Sequence, residues 1–385
     1  MIQSTPSQVH WVEAGLSRAA RWQSGAGVPA PVRVVVADDT LSADAAFRLA
    51  SEGTAILWRG DYHNARQLLQ AMGRRLDRTG RKRSKPAPAG GLSEVFHRHR
   101  MAQAQRARIL GMLLLEFGAD YALALRRAPD VRQACAEAWG SGDGEPRVAS
   151  LRELLGLIGA HEWRRTGVEV SALQGRIHPH YGVFAPVRGE YIDLVAQAPL
   201  PEALAHDSLA FDIGTGTGVL AAVLARRGVQ RVVATDQSVQ ALDCARDNLQ
   251  RLGLGDRVQV LQADLFPAGR APLIVCNPPW LPGRASSALE HAVYDPDSRM
   301  LRGFLGGLAA HLAPGGEGWL LMSDLAEHLG LRRREDLLAA IEAAGLTVQA
   351  RLDTRPVHPR ASDADDPLHA ARAAEVTSLW RLRAA

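Results

Sequence analysis

The stretch from Leu209 to Asp236 leaves the chain few ways to fold. Leu209-Ala210-Phe211-Asp212-Ile213 is a short apolar run of strand length, and it meets the turn Gly214-Thr215-Gly216-Thr217-Gly218. Val219 to Arg227 then has helical character and is closed by Gly228, after which Arg231-Val232-Val233-Ala234-Thr235-Asp236 is again strand-like. Strand, glycine turn, helix and strand make one βαβ unit. Glycines at alternate positions let the backbone approach a ligand with no Cβ in the way.

The residues at the strand ends carry the chemistry. Nicotinamide enzymes use a related turn, with glycine at the first, third and sixth positions, but here the sixth position is Val219. Asp236 closes the second strand and suits a ribose diol. Asp212, just before the glycines, either caps the loop amides or meets a ligand ammonium. A third strand, Val258-Gln259-Val260-Leu261-Gln262-Ala263-Asp264, ends in an acid placed to accept a bond from an adenine amine. A fourth, Leu273-Ile274-Val275-Cys276, runs into Asn277-Pro278-Pro279-Trp280.

Ligands of parallel α/β sheets bind outside the carboxyl ends of the strands, so Asp212, Asp236, Asp264 and Asn277 are expected to converge on one crevice. Asn277 offers a carbonyl acceptor there. The two prolines stiffen the backbone and aim the Pro278 carbonyl as a second acceptor. Trp280 offers a ring face. Two acceptors and a ring suit a planar nitrogen bearing two hydrogens, which is an amide NH2 or a nucleobase amine. The plainer alternative is that Asn277–Trp280 is a turn leaving the strand, with Trp280 in the core.

These motifs resemble the class I S-adenosylmethionine-dependent methyltransferases, and within them the HemK-type or methyltransferase small domain group. The matching stretches are Phe211–Gly218, Asp236, Asp264-Leu265-Phe266 and Asn277–Trp280, and the resemblance covers roughly residues 180–385. It implies a Rossmann-like seven-stranded α/β sheet with an antiparallel last strand. It also implies S-adenosyl-L-methionine as cofactor, held by Asp212, Gly214, Gly216, Gly218, Asp236, Asp264, Leu265 and Asn277. Asn277, Pro278 and Trp280 would form the catalytic set around the substrate nitrogen. Members of the group carry Tyr or Phe where this chain has Trp280. Their Pro-Arg-x-x-Thr-Glu segment is matched only loosely by Pro186-Val187-Arg188-Gly189-Glu190-Tyr191, so no substrate contact is carried onto it.

Length and charge bound the rest. A chain of 385 residues implies two domains, placed here at 1–175 (mixed α/β, basic, for substrate recognition) and 176–385 (methyltransferase). Residues 1–180 hold 25 Arg and Lys against 17 Asp and Glu, whereas the remainder holds 20 against 24. Between 66 and 108 there are 12 basic residues and 2 acidic ones, which points either to a polyanionic partner or to a solvated helix face with a basic loop. Cys135, Cys244 and Cys276 have no paired spacing, and the pairs His97/His99 and His178/His180 lack ligating company. No metal is expected, and a reducing, cytoplasmic setting is. No apolar run has membrane-spanning length, so no membrane association is expected.

In the first half, Val32–Ala37 and Ala55–Trp58 are expected as strands and Ala65–Leu76 as a helix. Residues 77–91 are expected as a basic loop, with a long helical stretch from Ser93 to about Arg127 and another helix from Pro129 to Trp139. In the second half, Ala285–Tyr294 is expected as a loop over the site. Helices are expected at Phe304–Leu312 and Arg333–Ala344, and strands at Gly318–Ser323 and Val348–Asp353. Glu375–Arg383 is expected to close the sheet. The leading methyl acceptor is a protein glutamine amide, with a translation factor among the candidates; the alternatives are an RNA base amine and, behind it, a small molecule or no turnover at all.

Overall fold

The computed structural model of the chain describes residues 7–82, 91–283, 289–357, 363 and 366–385. The chain divides into two units, 1–88 with 97–162, and 89–96 with 163–385.

The first unit contains β1 (Gln8–Glu13), β2 (Leu16–Trp22), β3 (Arg33–Ala37), β4 (Thr54–Trp58), β5 (Leu113–Phe117) and β6 (Arg147–Ser150), in the sheet order β1-β2-β6-β5-β4-β3. Strands β3, β4 and β5 run parallel, and β6 is antiparallel to β5. The helices are α1 (Ala43–Ser51), α2 (Tyr62–Lys82), α3 (Gly91–Leu110), α4 (Arg132–Trp139) and α5 (Leu151–Thr166), of which residues 91–96 of α3 and 163–166 of α5 fall in the second unit. In α2, Ala65, Leu68, Leu69 and Met72 are buried while Arg66, Gln70, Arg74 and Arg78 are exposed, as a 3.6-residue period requires.

The expected helix from Ser93 to Arg127 is corrected here. It ends at Leu110, and Leu113–Phe117 is a central strand. Leu113, Leu114 and Leu115 are all fully buried, so the strand is covered on both faces. Such a run has no alternation and cannot be told from a buried helix by period. The expected loop at 77–91 is helical as far as Lys82, and residues 83–90 lie outside those described.

The second unit begins with the hairpin β7 (Val168–Val170) and β8 (Gly175–Ile177) and helix α6 (Glu190–Gln197). Its sheet is built from β9 (Leu209–Ile213), β10 (Arg231–Asp236), β11 (Val258–Gln262) and β12 (Ala271–Cys276), with β13 (Leu281–Pro282) and β14 (Tyr294–Asp295) forming a separate short pair. β15 (Leu312–Ser323), β16 (Leu346–Thr354) and β17 (Thr377–Ala384) complete it. The order is β11-β10-β9-β12-β15-β17-β16, seven strands, the first five parallel and β17 antiparallel to both neighbours. The remaining helices are α7 (Val219–Arg226), α8 (Val239–Arg251), α9 (Arg299–His311), α10 (Leu325–His328), α11 (Arg334–Ala343) and α12 (His369–Ala374).

Strand side chains alternate between two apolar layers. Ala210, Leu273 and Val275 pack with α6 and α7, whereas Phe211, Ile213, Ile274 and Cys276 pack with α9 and α11. This three-layer, seven-stranded arrangement is the sheet that the resemblance implies.

The C-terminal strand completes the sheet and is antiparallel, as expected, and it does so from within the sheet, not at its edge. β17 inserts between β15 and β16, and its residues 377–380 are buried, while the edge strand β16 is largely exposed. Fully buried Glu317 accepts bonds from Trp319, Arg381 and Arg383 and ties β15 to β17. The expected loop Ala285–Tyr294 falls partly outside the described residues. Its flanks are joined by the β13–β14 pairing, with Leu281 N–H donating to the Val293 carbonyl at 3.1 Å.

Candidate functional site

The order in which the strands are added reverses between β9 and β12. From β9 the chain works outward through β10 to β11, then returns to β12 on the other side of β9 and works outward through β15. Such a switch point opens a crevice beyond the carboxyl ends of the two central strands. The register sharpens this. Leu261, Thr235, Ile213 and Cys276 are neighbours across four strands, so the residues that follow them, Gln262, Asp236, Gly214 and Asn277, form the rim.

The glycine loop is built by its own backbone. Gly214, Gly216 and Gly218 have φ of 72°, 55° and 80°, a region that side chains strain to adopt. Both Gly214 N–H and Thr215 N–H donate to the Thr235 carbonyl, at 2.9 and 2.8 Å. A Cβ on Gly214 would run into Met300 of α9, whereas one on Gly216 would meet nothing within 4 Å. The loop is therefore closed on one side and open on the other, which suits close approach of a cofactor.

Asp212 is 1% exposed, and its Oδ2 accepts from Thr215 Oγ1 at 2.6 Å and from Ala221 N–H at 3.0 Å. Burial pushes its carboxyl up to about 6, with the Asp236 charge adding to the rise, while the bonds from Thr215 and Ala221 oppose it. Of the two roles open for Asp212, this geometry displays the loop-holding one.

Asp236 is half-buried, and each of its oxygens accepts a backbone bond, Oδ2 from Gly216 N–H at 3.0 Å and Oδ1 from Ser238 N–H at 2.9 Å. Asp264 is exposed and pairs with Gln237 Nε2 and with Arg299 Nη2, the latter at 3.2 Å. Leu265 has φ of 75°, and its carbonyl accepts from Thr235 Oγ1 at 2.6 Å. Loops after β9, β10 and β11 are thus bonded to one another.

Asn277 is half-buried and Pro278 buried at the end of β12. Trp280 Nε1–H donates to Asn277 Oδ1 at 2.9 Å, and the Trp280 ring meets buried Tyr191 edge-on, with centroids 6.5 Å apart. Among the described residues no donor reaches the Pro278 carbonyl. Trp280 also packs against both core layers, so the core role open for it and the site role coexist.

Several residues at this rim were not singled out from sequence. Gly303 and Gly307, four apart on α9, let the helix approach the segment after β11: a Cβ at either would come within 2.6 Å of Leu265 or 2.5 Å of Phe266. Their spacing inside a helical run was the available signal. Glu190, at the start of α6, is 8% exposed, and its Oε1 has no partner among the described residues. Ser323, at the end of β15, donates to buried Glu375 at 2.6 Å.

The cysteines are unpaired and buried. Burial pushes the Cys135 thiol up to about 12 and the Cys244 thiol to about 11, and pushes Cys276 well above its usual range. His178 Nδ1 is bonded to the Arg164 carbonyl at 2.7 Å and His180 Nε2 to Asp247 at 3.1 Å, as structural turn residues. Among the described residues, no helix is long and apolar enough to cross a membrane.

Residues 174–334 match the methyltransferase small domain family, and they lie wholly in the second unit. A release factor glutamine methyltransferase of Cereibacter sphaeroides is 32% identical over 184 residues, 43% of this chain and 63% of that protein. A ribosomal protein L11 methyltransferase of Pelotomaculum thermopropionicum is 38% identical over 144 residues, 37% of this chain and 39% of that one. A release factor glutamine methyltransferase of Moorella thermoacetica is 35% identical over 149 residues, 33% of this chain and 53% of that protein. The chain spans less than two thirds of each of these relatives.

Proposed function

We propose that the second unit is a class I, S-adenosylmethionine-dependent methyltransferase domain of the small-domain, HemK-type group, a reading supported by the match over residues 174–334 and by the release factor relatives, and that the chain N-methylates a planar NH2 group, with a glutamine side-chain amide of a protein as its target. The observation that carries this reading is the common rim of the glycine loop, Asp236 and Asn277 at the β9/β12 switch point. The names of the release factor relatives favour the amide over other planar nitrogens. The first unit serves substrate recognition, and the three unpaired cysteines favour a cytoplasmic setting.

S-adenosylmethionine, when bound, supplies an electrophilic methyl group on a sulfonium. The open side of Gly216 and the Gly214 backbone would hold its methionine portion, with Gly218, Asp212 and Leu265 keeping the loops of this wall in place. Asp236 would take the ribose hydroxyls with the lone pairs left after its two backbone bonds, and Asp264 the adenine amine. Asn277 Oδ1 and the Pro278 carbonyl accept the two N–H bonds of the substrate nitrogen. That nitrogen is a weak nucleophile because its lone pair is delocalised. The two acceptors would align it and stabilise the positive charge it gains on methylation. Its extra proton then leaves to water. Orientation and electrostatics supply the rate.

A second reading, methylation of an RNA base amine, is favoured by one observation. The exposed face of α2 carries Arg66, Arg74 and Arg78, and among the described residues none of the three has a carboxylate partner. Labelled-methyl transfer to extract from cells lacking this chain separates the readings. The protein reading expects a product that protease destroys and RNase spares, and one unaffected by reversing Arg66, Arg74 and Arg78 to Glu. Loss of product with RNase alone overturns it in favour of RNA. The same triple reversal would then weaken RNA binding and flatten a log–log salt slope of about −0.7 per phosphate contact.

A further inference from the structure

We propose that Trp280 acts through Asn277, as the positioning residue that fixes which end of the Asn277 amide faces the methyl acceptor; the inference rests on the N-methylation reading above. The amide torsion of asparagine is broad and nearly two-fold, so oxygen and NH2 can exchange places at little cost. An exchange would set the Nδ2 donor against the donor hydrogens of the substrate nitrogen. An indole N–H is a donor only, so Trp280 Nε1, 2.9 Å from Asn277 Oδ1, accepts one of the two orientations and rejects the other. One oxygen lone pair is taken by the indole, which leaves the second for the substrate.

The indole is well held for this task. Pro278 and Pro279, between the two residues, fix the backbone φ. The ring stands edge-on to Tyr191 at an interplanar angle of 85° and packs against both layers of the core. Among the described residues Trp280 is the only hydrogen-bond partner of the Asn277 side chain. A phenyl or phenol ring in this place has no N–H at that edge, so this mode of fixing the amide belongs to the Trp.

The test is a double-mutant cycle on methyl transfer to extract, using Trp280→Phe and Asn277→Ala, with calorimetry of S-adenosylhomocysteine alongside. Loss of one net hydrogen bond predicts that Trp280→Phe lowers turnover by roughly 3- to 10-fold and leaves the S-adenosylhomocysteine affinity unchanged. In the Asn277→Ala background the same change should cost nothing further. Replacing Trp280 by 3-benzothienylalanine keeps the ring size and removes only the N–H, so it should reproduce the Phe loss even where Phe disturbs packing. Full activity of the benzothienyl variant, or additive losses in the cycle, overturns the proposal while leaving the function intact. Full activity of Asn277→Ala instead sinks the functional reading itself.

Discussion

Asn277→Ala keeps its grip on S-adenosylmethionine and loses methyl transfer by about 10²–10³-fold, the cost of one preorganised polar contact at a reacting centre. The cofactor wall is independent of this side chain. The glycine loop is bonded to Thr235 and Asp236, and Leu265 to Thr235, whereas Asn277 is bonded to Trp280. Truncation therefore removes a substrate acceptor and leaves the loops in place. Calorimetry with S-adenosylmethionine should give near wild-type affinity, and a labelled-methyl assay should give the large loss. Normal methylation by the variant would reduce Asn277–Trp280 to a turn leaving β12.

Asp236→Ala should do the converse and abolish useful cofactor affinity. Its carboxylate holds Gly216 N–H and Ser238 N–H, so removal loosens the glycine loop as well as deleting the ribose acceptor. Hydrogen bonds to a charged group contribute about 1.5–3 kcal/mol each, so loss of the ribose pair alone weakens binding by at least about 100-fold. Asp236→Asn, which keeps one acceptor oxygen, should fall between. Titration of S-adenosylmethionine, with NADH as the control that should show no binding, checks both variants. Unchanged affinity in Asp236→Ala would place the cofactor elsewhere.

The second unit was legible because its signals are local. The β9, glycine loop, α7 and β10 run follows from strand-length apolar segments broken by glycine. The other parallel strands end close to the acids and the asparagine that mark them. What escaped depends on distant partners. Leu113–Leu115 is buried on both faces in a strand that is central, between β4 and β6, and no periodicity survives in such a run. The place of β17 is set by pairing with β15 and β16, and its own sequence says only that it is a strand. At the site, Asn277 and Trp280 were visible as residue types. Their mutual bond is a local turn detail that residue types alone do not fix, whereas the Gly216 bond to Asp236 and the close approach at Gly303 arise only when separate segments are brought together.

The central claim is that this chain moves a methyl group from S-adenosylmethionine to a planar NH2 nitrogen. It is tested most directly by incubating the full chain with methyl-labelled S-adenosylmethionine and extract from cells lacking it, followed by exhaustive enzymatic digestion and identification of the labelled atom. The account predicts label on the side-chain nitrogen of glutamine, absent when Asn277→Ala replaces the wild type. Label on oxygen, carbon or sulfur, or no transfer by the wild-type chain, would contradict it.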